Sequence, residues 1–191
     1  DVIQIDHNNP AEQDAMIEAM QYWVTDFDID GFRADLAHLT PLGFWKKART
    51  AIEPLKSNLF WLAESEEINY HEVFDASFTW EWMHNTESFY KGNINLNSLY
   101  DVLAKYETTF PATAYRMYFT SNHDENTWNG TAGEKYGDML RSLAVFSCTW
   151  NGIPMIYSGE EIPNPKRLQF FEKDVIEWTG EYLLHDFYKT L

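Results

Sequence analysis

The sequence predicts an α/β fold with a mostly parallel sheet, of the (β/α)8 TIM-barrel type. Amphipathic helical stretches alternate with short apolar runs along the chain, as they do in parallel α/β proteins. Polar residues come directly after the apolar runs, and in α/β barrels the ends of several different strands supply the catalytic side chains. A doubly wound sheet would also bind ligands at its strand ends, but the sequence has no glycine-rich phosphate loop. The barrel is therefore the preferred interpretation.

The first helix is predicted from its start signals. Asn9 is a favourable N-cap, Pro10 suits the first helical position, and Glu12 comes three residues after the cap. Apolar residues then recur at helical spacing as far as Val24. These features predict a helix that starts at Pro10 and precedes the first strand.

The remaining elements are predicted from the same two patterns. Runs of apolar residues predict strands at residues 29–34, 59–63, 73–78, 115–120 and 153–157, and helical periodicity predicts helices at residues 44–52, 96–106, 136–150 and 181–191. No repeat, low-complexity tract or Pro/Gly/Ser-rich linker divides the chain, so one domain is expected. A complete barrel has eight strands and about 250 residues. The five predicted strands therefore favour a piece cut from a longer polypeptide at both ends.

The charge and hydropathy of the chain exclude several classes of partner. The formal net charge is −16, which argues against nucleic acid and anionic membrane surfaces, because phosphates attract Lys and Arg. No apolar run approaches the roughly 18 residues that span a bilayer, so membrane insertion is not expected. A neutral substrate fits this balance. Aromatic residues make up 17% of the chain, and flat rings that are not needed in the core can stack on the C–H faces of sugars.

Acidic residues stand at four predicted strand ends: Asp35, Glu64, Asp124 and Glu160. Two carboxylates at one site suit glycoside hydrolysis, in which one acts as nucleophile or base and the other as acid. Taken singly, each is explained at least as well by a solvated polar residue that ends a strand.

Three local sequences resemble motifs of the α-amylase family, glycoside hydrolase family 13. Residues 30–35, DGFRAD, resemble its nucleophile motif, and residues 61–64, WLAE, resemble its acid/base segment. Residues 119–124, FTSNHD, resemble the segment that carries its third acid. All three occur in the order of the family, and the similarity extends to residues 152–161, GIPMIYSGEE. The resemblance covers nearly the whole chain.

This resemblance implies a retaining hydrolysis of α-glucosidic bonds in starch-like glucans or maltooligosaccharides. Asp35 would be the nucleophile, and Arg33, two residues earlier on the same strand face, would hold it ionised and oriented. Glu64 would protonate the departing oxygen and then deprotonate water. Asp124 would grip sugar hydroxyls and stabilise the transition state, and His123 would donate a hydrogen bond to the same sugar.

Two departures from the family pattern affect the expected site. The earlier family motif with an Asp and a His, which often helps to anchor calcium, has no match, and residues 4–8 are not strand-like. No metal ligand is therefore predicted, and the calcium dependence of the full-length protein stays open. Typical members carry a Lys-His pair after the nucleophile, whereas this chain has Leu36-Ala37-His38. His38 either touches substrate or caps the strand end.

The resemblance also implies which part of the barrel is present. Residues 1–191 are expected to be the C-terminal part of a catalytic barrel, about strands four to eight, without the first three strands and without the downstream β-sandwich domain. Such a piece has two unpaired edges. We expect it to be inactive alone, or to self-associate through its open edges or bind a partner chain that covers them.

Alternatives remain for the function and for two minor features. A glucosyl transferase would use the same three carboxylates, and a non-catalytic carbohydrate-binding relative is the alternative from another class. Residues 71–75, HEVFD, superficially resemble a zinc helix motif but end in Asp where His is required, so a zinc site is rejected. Arg167 and residues 170–174 either rim the cleft or form a solvated loop.

Overall fold

The computed structural model describes residues 5–178 and 180–191. The chain divides into two compact units, the first formed by Asp1–Phe78 and Phe110–Ala114 and the second by Thr79–Thr109 and Tyr115–Leu191. Among the described residues the helices are α1 Pro10–Phe27, α2 Leu42–Ile52, α3 Trp80–Tyr90, α4 Leu96–Thr109, α5 Ala132–Tyr136, α6 Leu140–Thr149 and α7 His185–Thr190. The strands are β1 Gly31–Ala34, β2 Phe60–Ala63, β3 Ala76–Phe78, β4 Tyr115–Tyr118 and β5 Ile153–Pro154.

In the first unit, strand β2 pairs in parallel with β1 on one side and with β3 on the other. The register places Gly31 opposite Phe60 and Ala34 opposite Ala63. Gly31 is required at its position, because an added Cβ would overlap the main-chain carbonyl of Phe60. The close approach of the two strands fixes their register, and the register determines which residues stand side by side at their carboxyl ends.

Helices α1 and α2 cover this sheet. The N-cap of α1 is the predicted one, since the side chain of Asn9 accepts a hydrogen bond from the amide of Ala11 at 3.0 Å. The core beneath the helices is apolar and aromatic, and its fully buried members include Trp61, Phe74, Ile52 and Val73. Arg49 of α2 lies over the ring of Trp61 and pairs with Asp75 at 3.1 Å, so its charge is balanced at the edge of the core.

In the second unit, strands β4 and β5 pair in parallel, with Met117 opposite Ile153. An aromatic cluster packs their helices together: Trp82 of α3 stacks on Phe146 of α6 with ring centroids 4.4 Å apart, and Tyr118 of β4 meets Phe146 edge-on. The cluster holds the carboxyl end of β4, which leads to residues 122–124, against two helices.

Every predicted strand is present, but each is shorter than predicted, and β3 and β5 differ most. The strand predicted at residues 73–78 begins only at Ala76, because residues 68–72 form a 3₁₀ segment and the amide of Val73 bonds to the carbonyl of Tyr70 at 2.9 Å. Apolar character therefore marks burial at Val73 but not strand pairing. The helix at Trp80–Tyr90 is absent from the prediction.

The helix predicted at residues 136–150 is present as α6, but it begins four residues later than predicted. Helix α5 ends at Tyr136, Gly137 adopts a left-handed φ of 46°, and α6 begins at Leu140. An added Cβ at Gly137 would overlap the hydroxyl of Tyr90, so a side chain there would have to displace that ring. The helix predicted at residues 181–191 is shorter and spans His185–Thr190.

Candidate active site

Asp35 and Glu64 come directly after the paired ends of β1 and β2. Because Ala34 and Ala63 are register partners, the next residue of each strand stands at the same level, and adjacent strands lie roughly 4.8 Å apart. The structure therefore brings these two carboxylates together, as their positions at strand ends predict. Their exposure differs sharply: the side chain of Asp35 is 72% exposed and that of Glu64 only 6%.

Arg33 contacts both carboxylates with one guanidinium. Its Nη1 donates to Asp35 Oδ1 at 2.5 Å, and its Nη2 lies 2.9 Å from Glu64 Oε2. The contact with Asp35 is the one that its position two residues earlier predicts, since alternate residues of a strand share a face. The contact with Glu64 could not be predicted from the sequence, because it joins two different strands. Two different carboxylates on the two arms of one planar fork are held at a fixed separation.

The backbone after Asp35 turns back toward Glu64 and fixes it further. Leu36 has a left-handed φ of 39°, and its amide donates to Glu64 Oε2 at 2.9 Å. The amide of Ala37 donates to the main-chain carbonyl of Glu64 at 3.3 Å. The Glu64 carboxylate is thus buried and held by two donors, whereas Asp35 keeps an open face toward solvent.

His38 lies in the short 3₁₀ segment Ala37–Leu39 that comes after this turn, and its side chain is exposed. Its main-chain carbonyl accepts a hydrogen bond from the hydroxyl of Tyr70 at 3.3 Å, and the same hydroxyl bonds to the carbonyl of Thr40 at 2.8 Å. Tyr70 therefore fixes the backbone on which His38 is presented.

In the second unit, His123 and Asp124 come after β4. Their side chains approach each other at 3.4 Å, between His123 Nε2 and Asp124 Oδ2, and both are partly exposed. Asn122, buried just before them, accepts a hydrogen bond from the amide of Glu125 at 2.7 Å and starts the π-helical turn Glu125–Asn129. The pKa of the Tyr157 phenol is raised. Burial is the larger cause, and the negative charge of the nearby Asp124 adds to it.

A buried ion pair lies directly behind Asp124. Lys135 of α5 contacts Glu125 Oε2 and lies 3.5 Å from Glu87 Oε2, and both Lys135 and Glu125 are buried. The other oxygen of Glu125 accepts from Asn129 Nδ2 at 2.9 Å. Burial alone would raise the pKa of Glu87, but a hydrogen bond from Lys91 and the charge of Lys135 outweigh it and lower the pKa. The turn that carries Asp124 is therefore anchored by charge.

Glu160 comes after β5 and is held by two hydroxyl donors. Thr120 donates to Oε1 at 2.9 Å and Tyr188 to Oε2 at 3.1 Å. Burial nevertheless dominates and raises the pKa of the carboxyl to about 7. Glu160 also lines a cavity of about 370 Å³ in the second unit, together with the buried Ser121.

The raised pKa of Glu160 predicts a pH-dependent stability. Between its ordinary pKa of 4.5 and its folded pKa of about 7, the folded state holds a proton that the unfolded state has lost. The free energy of unfolding should therefore fall as the pH rises through this range, by at most about 3 kcal/mol, and the fall should end above pH 7. Relative to wild type, the Glu160→Gln variant should gain stability between pH 5 and pH 8 in denaturant unfolding.

The substitution Glu18→Gln is the control for this comparison, because it removes one exposed carboxylate of α1 without touching Thr120 or Tyr188. An equal change in unfolding free energy from pH 5 to pH 8 in wild type and in Glu160→Gln would contradict the assignment.

No metal site is formed by the described part of the chain. Across residues 5–178 and 180–191, no three His, Cys, Asp or Glu side chains come together as a metal ion would require. No chemical step is assigned to calcium. Of residues 4–8, Gln4 lies outside the described residues, and the rest form no strand. None of the described helices is both long and apolar enough to cross a membrane.

Comparison with known proteins agrees with this arrangement. The family model described as alpha amylase, catalytic domain, matches residues 2–172. The maltogenic alpha-amylase of Bacillus acidopullulyticus is 26% identical over 165 residues, which cover 81% of this chain and 27% of that protein. The cyclomaltodextrinase of Thermoanaerobacter pseudethanolicus is 24% identical over 87% of this chain and 31% of its own length. The chain thus spans less than a third of these curated relatives.

Solved structures show the same fold. The maltogenic alpha-amylase AmyB of Thermotoga neapolitana superimposes with a TM-score of 0.88 at 28% identity, covering 99% of this chain and 44% of that one. An alpha-amylase of Lactobacillus plantarum gives a TM-score of 0.84 at 22% identity, over 95% of this chain and 46% of that one. The predicted TIM-barrel fold class is therefore confirmed, with this chain matching part of the barrel enzyme. Because the family model matches most of its residues, the chain belongs to the alpha-amylase family, within the catalytic domain.

Proposed function

We propose that the protein containing this chain is a retaining glycoside hydrolase that cleaves α-glucosidic bonds in starch-like glucans or maltooligosaccharides. The observation that carries the proposal is the pair Asp35 and Glu64, level at adjacent strand ends and contacted by the single guanidinium of Arg33. A guanidinium that touches both keeps the two carboxyl groups close, and retaining glycosidases need a close pair, roughly 5 to 5.5 Å apart. Membership of the alpha-amylase family supports the same chemistry.

The two carboxylates divide the reaction between them. Asp35 has an open face, and one of its oxygens attacks the anomeric carbon as the bond to the departing oxygen breaks. Glu64 supplies the proton that the departing oxygen takes up with the bonding electron pair. Water then attacks the glycosyl ester on Asp35, Glu64 accepts the proton of that water, and the carboxylate of Asp35 is released with net retention.

The other predicted residues position the substrate and the nucleophile. Arg33 orients Asp35 and Glu64 through charge-assisted hydrogen bonds. Asp124 takes the role of the third acid that its motif implies, binding sugar hydroxyls and stabilising positive charge in the transition state. His123 lies beside Asp124 and donates to the same sugar. The exposed ring of His38 is a further sugar contact in this proposal.

The chain is proposed to supply the C-terminal part of the catalytic barrel, about strands four to eight. The support is its coverage, which is 99% of this chain but only 44% of the AmyB structure. A longer polypeptide or a partner chain would then supply the remaining strands and pair with the open edges. The names of the relatives, maltogenic alpha-amylase and cyclomaltodextrinase, support α-glucans as substrates.

The test measures hydrolysis of starch, of maltooligosaccharides and of an aryl α-maltoside with a good leaving group, using the whole protein. Fresh product should have the α configuration by proton NMR. The Glu64→Gln variant cannot supply a proton, so kcat/KM for maltooligosaccharides should fall roughly 10²- to 10⁴-fold. The loss for the aryl maltoside should be much smaller, because its leaving group departs without protonation.

Glu67→Gln is the matched control, since Glu67 is an exposed carboxylate three residues further along the chain. It should leave both rates unchanged. If the wild-type protein is inert on all three substrates, or if Glu64→Gln retains full activity on maltooligosaccharides, the proposed function is wrong. Disaccharides or longer transfer products formed with an added acceptor sugar would instead indicate a transferase on the same site.

A further inference from the structure

Two loops of the second unit are tied together beside His123 and Asp124. The amide of Leu168 donates to the side chain of Asn126 at 2.8 Å, and the hydroxyl of Thr127 donates to the carbonyl of Leu168 at 2.7 Å. Asn126 also donates to the carbonyl of Lys166 at 3.2 Å and is itself buried. Arg167 adds an ion pair to Glu134 at 2.9 Å. The segment at residues 166–168 is thus fixed against residues 126–134.

These tied loops present three aromatic rings to solvent, which we name the aromatic platform: Trp128, Phe170 and Phe171. The ring centroids of Trp128 and Phe170 lie 5.2 Å apart, and those of Phe170 and Phe171 lie 5.0 Å apart. Trp128 is 56% exposed and Phe171 is 83% exposed. Exposed apolar groups that cluster on an anchored surface mark a binding surface, because leaving them in water is unfavourable.

The platform is continuous with the candidate site. The ring of Phe170 stacks on the ring of His123 with 6.4 Å between centroids and an interplanar angle of 18°. His123 in turn contacts Asp124. A chain of ring contacts therefore leads from Phe171, through Phe170, to the two polar residues that come after β4.

We propose that the aromatic platform binds glucosyl units of an α-glucan chain whose next units reach His123 and Asp124, so that it selects for longer chains. This proposal rests on the proposed function. Flat rings cover the apolar C–H faces of pyranose rings, and the platform is uncharged, as suits a neutral polymer. The net charge of −16 disfavours a polyanionic occupant. Because Phe170 stacks on His123, we expect the ligand of the platform to be a substrate that extends from the site.

The test compares long and short substrates in the whole protein. Truncation of a ring removes one aromatic contact, which is worth about 0.5 to 1.5 kcal/mol. In Trp128→Ala and Phe171→Ala, kcat/KM for maltoheptaose should therefore fall about 2- to 13-fold, whereas kcat/KM for an aryl α-maltoside should change less than 2-fold. Phe171 is 83% exposed, so its truncation leaves the core intact. Trp128→Phe retains a ring and should recover part of the loss.

Tyr100→Ala is the matched control, because Tyr100 is an exposed ring of α4 that lies outside the platform. It should leave both substrates unaffected. Calorimetric binding of maltoheptaose, measured in the same variants, separates this proposal from the proposed function. If the protein is inert but platform variants weaken maltoheptaose binding, the proposed hydrolysis is wrong and the proposed sugar binding by the platform is supported. If the protein is active and the variants keep the wild-type ratio of long to short substrates, the platform proposal is overturned. It is also overturned if they change only the sedimentation of the protein, which would assign the rings to contact between copies.

Discussion

Replacing Asp35 with Asn in the protein that contains this chain should lower kcat for maltooligosaccharides by roughly 10⁴-fold or more. The amide keeps the size of the side chain and an acceptor for Arg33, but it cannot form the glycosyl ester. Because Asp35 is 72% exposed, the free energy of unfolding should change by no more than about 0.5 kcal/mol. Steady-state kinetics and denaturant unfolding of the same sample separate the loss of chemistry from a loss of fold.

Asp30→Asn is the control for this substitution. Asp30 is an exposed aspartate five residues earlier, and its carboxylate pairs only with Lys56 at 2.8 Å among the contacts of the described residues. Its loss should leave kcat unchanged. Asp35→Ala with an activated α-maltoside and sodium azide gives a further readout, since azide can occupy the space of the missing carboxylate and yield the β-glycosyl azide. Full activity of Asp35→Asn, or an azide product of the α configuration, would refute the role of Asp35.

The Lys135→Met variant should lose about 3 to 5 kcal/mol of unfolding free energy. Lys135 is buried against Glu125 and Glu87, and removing one partner of a buried pair leaves the other charge without compensation. The double variant Lys135→Met/Glu125→Gln removes the ion pair as a whole and should recover much of the loss. Denaturant unfolding of the two single variants and the double variant completes the thermodynamic cycle.

Lys105→Met provides the comparison at the surface. Lys105 pairs with Glu81 at 2.6 Å, but both side chains are well exposed, so its removal should cost less than about 1 kcal/mol. Equal losses in Lys105→Met and Lys135→Met would mean that the buried pair contributes no more than a solvated one. That result would remove the electrostatic anchor assigned to the turn behind Asp124.

The site residues at strand ends could be predicted from the sequence. Asp35 and Glu64 each come after an apolar run, and the spacing of Arg33 and Asp35 places both side chains on one face of a strand. The contact between Arg33 and Glu64 was not within reach, because it depends on the register of β1 against β2. Register is set by contacts between strands that are distant in sequence, such as the approach of Gly31 to Phe60.

The buried ion pair of Lys135 and Glu125 could not be predicted from the sequence for a similar reason. Lys135 and Glu125 are ten residues apart, Glu125 in the π-helical turn and Lys135 in α5, so no single helical or strand period links them. Trp128 gave no periodic signal, since its ring is exposed on an irregular turn. The sequence left two alternatives for Phe170 and Phe171, a cleft rim or a solvated loop, because ring contacts such as those of Phe170 with Trp128 and His123 join loops that are distant in the chain.

The absent side chain of Gly31 has a consequence for engineering the protein. Because Gly31 has only a hydrogen in place of a side chain, β1 can approach the carbonyl of Phe60 closely. This approach sets the spacing of the two strands that lead to Asp35 and Glu64. A methyl group would push the strands apart, and displacements near 1 Å can cost catalysis about 100-fold. Mutant libraries that aim to change substrate preference should therefore leave this glycine untouched, although it stands at the opposite end of β1 from Asp35.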